Sequence, residues 1–379
     1  MLNFIRLIPI VNNAICYGFG FLFAAQIAAL GGSGWQVALP ALAAGAVYPL
    51  TVWLVSRIAT GKRLAPLIAA GGVCIFFASA GALFVRTIPM FVVWNALVSV
   101  ALSLSGVPIQ LLMKRMQRGG NASAGTVRTI SLYLVGVSVG QGLGTYVCGV
   151  VTYTLFGVVS AMLGLGVAAL ALVAGKRYPA EAETPSAPKP DGGTPGKTKI
   201  PWSVVSGWVI VGLISLSLSQ MTPAVAFHGN VVGLSKKMCA DVLSLRSLCE
   251  GVLVLALYFS RRWMDKKAAA PAIALVLTAS LVGFALGKNY AAFAAAAVLY
   301  GIGLALGLFY IYYHALASSG SNGKYSFVTE IVIGVTQFLG PVCGATATYA
   351  HSARPFYIAA AAMAAGGLFL VLYGRKKAA

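Results

Sequence analysis

Again and again along its 379 residues the chain runs through apolar stretches with almost no charge, each closed by a short loop rich in glycine or basic residues. A helix rises about 1.5 Å per residue, so about 20 apolar residues cross the ~30 Å hydrocarbon core of a bilayer with every backbone polar group satisfied inside the helix. Twelve such spans can be drawn, at 7–30, 36–56, 65–85, 89–113, 126–148, 151–175, 202–226, 238–259, 269–287, 290–315, 326–348 and 355–373. An all-α integral membrane protein with twelve transmembrane helices is therefore expected.

Composition excludes the rival reading, in which these are core helices of a soluble protein. The chain is 59% hydrophobic and 9% charged, against about 45–50% and about 25% in soluble domains. A water-exposed fold of this make-up would carry large apolar patches and aggregate. The surface has to face lipid.

Charge then reports on orientation. Lys and Arg number 27 against 7 Asp and Glu, a net charge of +20, which in a soluble chain would point to nucleic acid. Here the basic residues are scattered over many loops. If the N-terminus is cytoplasmic, 20 of the 27 fall on that side, among them Arg57, Lys62, Arg63, Lys114, Lys176, Lys266 and Lys267. Short cytoplasmic loops carry such an excess. Both termini are expected in the cytoplasm of a multi-pass protein of the cytoplasmic (inner) membrane, with the lipid bilayer as surroundings and no nucleic-acid partner. The six cysteines fall singly in apolar runs without C-x-x-C or a close His, so neither disulfide nor metal spacing is present.

Residues 178–201 differ in kind. They are rich in Pro, charge and small polar residues, a composition that gives a flexible linker and not a packed core. The linker divides the chain into an N-terminal six-helix bundle, 1–177, and a C-terminal one, 202–379. The halves also repeat. Ser56-Arg57-x4-Lys62-Arg63 follows span 2, and Ser260-Arg261-x4-Lys266-Lys267 follows span 8. Gly140-Gln141-Gly142-Leu143-Gly144 in span 5 has a partner in Gly340-Pro341-Val342-Cys343-Gly344 of span 11. Two pseudo-symmetric six-helix bundles follow, related by an axis along the membrane normal.

In these features the chain resembles the major facilitator superfamily: six spans, a cytoplasmic linker, six spans, and a short basic loop after spans 2 and 8. Of that family's loop pattern, roughly G-x-x-x-D-R-x-G-R-[RK], the sequence keeps Gly61-Lys62-Arg63, with Ile58 at the acidic position and Ala59 at the arginine. Gly136-x3-Gly140-Gln141 is similar to the antiporter pattern G-x-x-x-G-P, with Gln in place of Pro. The resemblance implies alternating access to a central cavity lined mainly by spans 1, 4, 7 and 10.

Polar side chains are costly in hydrocarbon and tend to face a protein interior or a watery cavity. On that ground Asn13 and Tyr17 of span 1, Asn95 and Gln110 of span 4, Gln220 of span 7, and Tyr310, Tyr313 and His314 of span 10 are candidate substrate-binding residues. Ionisable residues within spans are the candidates for gating or proton coupling: Arg128 in span 5, Asp241, Arg246 and Glu250 in span 8, and Glu330 in span 11. Arg246 and Glu250, four apart, can pair on one helical face. The resemblance implies that spans 5 and 8 lie against each other, so that Arg128 could instead reach Glu250 across the bundle interface. Glu330 has no basic partner in its own span and so is the residue expected to take up and release a proton, a gate residue being the alternative.

The expected function is secondary active transport of a small-molecule substrate, an organic solute, with protons as a candidate coupling ion and a monomer as the working unit. Passive facilitation, and a transport-inactive sensor or scaffold with the same fold, are the alternatives. No Walker loop, H-E-x-x-H, G-x-S-x-G or Cys/His cluster occurs, so no enzyme, cofactor or metal site is expected.

Overall fold

The computed structural model describes residues 5–29, 34–116, 122–177, 200–260, 262–318 and 324–376. The expected linker, 178–201, lies outside the described residues apart from Ile200 and Pro201, and so do the loops at 30–33 and 319–323. Within them run twelve long helices: α1 Ile8–Ala29, α2 Gly34–Ile58, α3 Leu64–Ala82, α4 Ile88–Met116, α5 Ala122–Val150, α6 Tyr153–Arg177, α7 Trp202–Val231, α8 Lys236–Leu257, α9 Ala269–Leu286, α10 Tyr290–Ser318, α11 Lys324–Gly344 and α12 Arg354–Lys376.

Ten of these helices are long and apolar enough to cross a membrane. The other two are α1, whose apolar stretch covers Ile8–Phe23, and α8, which carries Lys236, Lys237, Asp241, Arg246 and Glu250. The outer surface is apolar, with Phe84 75% and Leu275 70% exposed, as lipid contact requires.

Local chemistry sets the helix ends. Thr152 caps α6 through Leu155 N–H, Ser235 caps α8 through Met238 N–H, and Asn289 caps α10 through Ala292 N–H, each satisfying a donor the first turn leaves free. The turn before α8 needs Gly233, whose φ of 88° favours a residue without Cβ. α11 stops at Gly344, four residues before the sequence pattern ends, and a 3-10 turn at Tyr349–His351 leads into α12.

Packing repeats between the two sets of six. In the first, α1 packs on α5, α2 on α4, and α3 on both α4 and α6; in the second, α7 packs on α11, α8 on α10, and α9 on both α10 and α12. Glycines permit the closest of these approaches. Gly140 and Gly144 lie against Ile10 and Ala14 of α1, and Gly340 lies against Leu216 and Ser219 of α7. Each set also holds an aromatic cluster away from the basic loops. Phe19, Phe23, Phe91 and Phe156 form one, with ring centroids 5.1–5.4 Å apart. Phe284, Phe293, Phe356 and His228 form the other, at 5.4–5.9 Å. Phe91 and Phe293, and Phe156 and Phe356, are separated by about the offset of the sequence motifs, so the repeat extends into the core.

Two seams join the sets: α2 against α11, and α5 against α8. In the first, Gly334 lies against Tyr48 and Pro49, and a Cβ on Gly45 would come within 2.6 Å of the Phe338 backbone. In the second, Gly142 faces Ser247 and Gly251 faces Ser138. The polar residues of the candidate site lie along these seams.

Candidate functional site

Glu330 sits on α11, 3% exposed, where the α2 seam brings it against the first six helices. Tyr48 Oη of α2 donates to its Oε2 at 2.6 Å. Its Oε1 accepts from Tyr312 Oη of α10 at 2.8 Å and from Gln110 Nε2 of α4 at 3.2 Å. Tyr133 of α5 stacks edge-on against Tyr312, centroids 5.8 Å apart. One buried carboxyl group thus takes three neutral donors, two from helices 1–6 and one from its own set. Nearer the basic loops, Lys114 Nζ at the end of α4 donates to the Leu316 carbonyl near the end of α10 at 2.8 Å, where free helix carbonyls favour a cation.

A second polar centre lies on the α5–α8 seam. Arg246 is 5% exposed and donates from Nη2 to Gln141 Oε1 of α5 at 3.0 Å and to Ser247 Oγ at 2.8 Å. Tyr17 of α1 lies against Gln141, and Tyr300 of α10 shares a hydrogen bond with Ser217 of α7 nearby. Glu250 is 1% exposed, beside Ser138, and neither carboxyl oxygen has a hydrogen-bond partner; nor has Arg246 Nε. The pairing of Arg246 with Glu250 expected from their spacing is not made. An arginine N-terminal to a glutamate at four residues is the weaker order on a helix, and Gln141 offers Arg246 an acceptor across the seam. Arg128 does not reach Glu250 either. It is exposed on α5, and Glu250 lies level with Ser138, ten residues or about 15 Å further along that helix.

The remaining candidates divide by helical face. Asn13 donates to the Pro9 carbonyl of its own helix at 2.8 Å and packs against Gly140. Asn95 is part of a ladder between α4 and α2: Asn95, Ser99 and Ser103 donate to the carbonyls of Pro40, Ala44 and Tyr48 at 2.8, 2.9 and 3.3 Å. Gln220 ties α7 to the Pro355 carbonyl at the start of α12. Asp241 is half-buried near the start of α8, and Tyr313 is half-buried on α10. Tyr310 and His314 turn away from the first six helices into a cavity formed wholly by residues 202–370. Glu330 and Gln110 are therefore brought together, and so are Tyr17, Arg246 and Glu250, while Asn13, Asn95, Gln220, Tyr310 and His314 are spent elsewhere. Tyr48, Tyr312 and Gln141 are site residues that pattern reading passed over.

Comparison with solved structures decides the architecture. Over 96% of its length the chain superimposes on 99% of the human organic anion transporter MFSD10 (TETRAN), with a TM-score of 0.66 at 12% sequence identity. The chain has the major facilitator fold. No family model and no curated protein sequence matches it. With ten membrane-length apolar helices, it is a multi-pass membrane protein. In this chain Gln141 of α5 is the residue that accepts from Arg246.

Proposed function

We propose that the chain is a secondary transporter that moves a small organic solute across the cytoplasmic membrane by alternating access. In this reading residues 1–177 and 202–379 are two six-helix bundles, all twelve helices cross the bilayer, and the basic end, with both termini and the linker, is cytoplasmic. The observation that carries it is Glu330, a buried acid whose hydrogen bonds come from both bundles. Opening the basic end has to break the bonds from Tyr48 and Gln110.

The same residue links that opening to protons. An ionised carboxylate only accepts hydrogen bonds, so it holds all three donors; a protonated one brings a donor of its own, and at least one neighbouring hydroxyl has to turn from donor to acceptor to take it. Proton occupancy and closure of the basic end are then one equilibrium. Glu250, whose oxygens are unpartnered, supplies a second place where a proton or a cationic group finds free acceptors. Passive facilitation is the reading left if Glu330 keeps its partners throughout the cycle.

Proteoliposomes test the proposal, loaded with a solute found by thermal-shift screening of a compound library, since a ligand that binds only the native state raises its apparent stability. Glu330→Gln keeps the shape of the protonated acid. It should abolish accumulation driven by an imposed pH gradient while solute exchange remains measurable. Unchanged accumulation removes Glu330 from coupling, and loss of exchange as well makes the residue structural only.

A further inference from the structure

The cavity that takes Tyr310 and His314 has a volume of about 250 Å³ and lies at the basic end of helices 7–12, away from both seams. That is below the range of about 300–1,000 Å³ common for drug-sized ligands, so it suits a small group. The exposed residues Asp265, Lys266 and Lys267 line it from the loop between α8 and α9. Deeper in, Ser203 and Ser206 of α7 line it, with Ser206 Oγ 3.0 Å from Tyr310 Oη.

One nitrogen of a buried ring in its lining is without a hydrogen bond, although the ring also meets the Met264 backbone and the Asp265 carboxylate. His314 is 8% exposed, its ring stacks edge-on against Tyr310 with centroids 4.6 Å apart, and its Nε2 has no hydrogen bond. A buried polar nitrogen left unpaired is costly, so a ligand is expected to pair with it, and the hydroxyls and two ammonium groups that line the same cavity favour one carrying oxygen acceptors. Asp265 opposes an anion, but the lysines outnumber it. Aromatic residues mark the depth. Trp202 lines the cavity and packs on Tyr373 of α12, centroids 5.0 Å apart, and such rings gather at the membrane–water interface. A basic pocket between membrane helices at that level is suited to a lipid headgroup.

We infer that this cavity binds a phosphate group at the membrane surface, with Lys266 and Lys267 taking its charge and Ser203, Ser206, Tyr310 and His314 its oxygens. The phosphate comes either from the headgroup of an anionic lipid or from a free anion. The corresponding loop of the first six helices serves as the control, because Lys62 and Arg63 are exposed on a short 3-10 helix and line no part of this cavity.

The test is thermal unfolding of the purified chain in a neutral detergent, with two probes: dihexanoyl phosphatidylglycerol against dihexanoyl phosphatidylcholine, and inorganic phosphate against chloride at equal ionic strength. A rise of about 2 °C with the glycerol lipid alone assigns the site to a headgroup, and a rise with inorganic phosphate assigns it to a free anion. Either rise should vanish in Lys266→Gln/Lys267→Gln and persist in Lys62→Gln/Arg63→Gln. These residues are exposed, so neither variant disturbs the core. No rise with either probe, or an equal rise in both variants, overturns the inference. The readout involves no transport, so it stands apart from the fate of the transport proposal.

Discussion

Two buried acids, Glu330 on α11 and Glu250 on α8, face the first six helices across the two seams, and their surroundings are opposite. Glu330 gathers three donors from three helices. Glu250 has none, although a guanidinium lies one helical turn away on the same helix. The contrast teaches that the nearest opposite charge in sequence, although close enough to attract a buried acid in this fold, supplies it no hydrogen bond. Hydrogen bonds come from what the packed neighbouring helices present. α2, α4 and α10 present hydroxyl and amide donors to Glu330, whereas α5 presents Ser138, whose hydroxyl is already bonded to the Leu134 carbonyl.

The largest expected effect follows directly. Glu330→Leu strips the acceptor from three buried donors, each costing about 1–3 kcal/mol when left unpaired. A loss of roughly 3 kcal/mol or more in unfolding free energy is expected in lipid or detergent. Glu250→Leu strips no hydrogen bond from the acid and gives up only its attraction to Arg246, so its loss should be smaller than that of Glu330→Leu, which leaves three buried donors without an acceptor. If the two variants unfold at the same midpoint, the contrast between the acids is broken.

How far the sequence carried this reading depends on the distance between the residues involved. Helix positions were legible because apolar length is a local property. The Glu330 knot was not, because Tyr48 and Glu330 are 282 residues apart and nothing near either one signals the other. α10 shows the same limit through helical phase. Tyr310 and His314, four apart, lie about 40° from each other around the helix, while Tyr312 lies about 200° from Tyr310. Taking Tyr310 and His314 as the inward face therefore turned Tyr312, the Glu330 ligand, outward. Gln141 was visible as a departure from the G-x-x-x-G-P pattern, but its role as the acceptor for Arg246 depends on the α5–α8 seam.

A middle-sized effect separates the two tyrosines of the knot. Tyr48→Phe and Tyr312→Phe each remove one hydrogen bond to Glu330, worth about 1.5–3 kcal/mol if the acceptor is charged. Their consequences for opening differ, because Tyr48 reaches Glu330 across the seam and Tyr312 from within the same six helices. Tyr48→Phe should speed maleimide labelling of a single cysteine placed at Pro49, where α2 meets Gly334 of α11, while Tyr312→Phe leaves that rate near the parent value. Equal labelling rates in the two variants would mean that the bond across the seam does not hold the basic end closed.

The smallest effect concerns why Glu250 is left alone. If Arg246 turns away because Gln141 offers an acceptor, then Gln141→Leu should release the guanidinium to its neighbour one turn along α8. The lost bond to Gln141, about 1 kcal/mol, is then largely offset by a new contact with Glu250, and the unfolding midpoint should shift less than in either tyrosine variant. In Glu250→Gln the released arginine finds no carboxylate, so combining the two substitutions should cost more than the sum of the single changes. A double-mutant cycle reads that difference directly, and for residues in contact such couplings amount to about 0.5–3 kcal/mol. Strict additivity would show that Arg246 does not exchange partners, and that the isolation of Glu250 is set by the backbone of α8 and not by competition from α5.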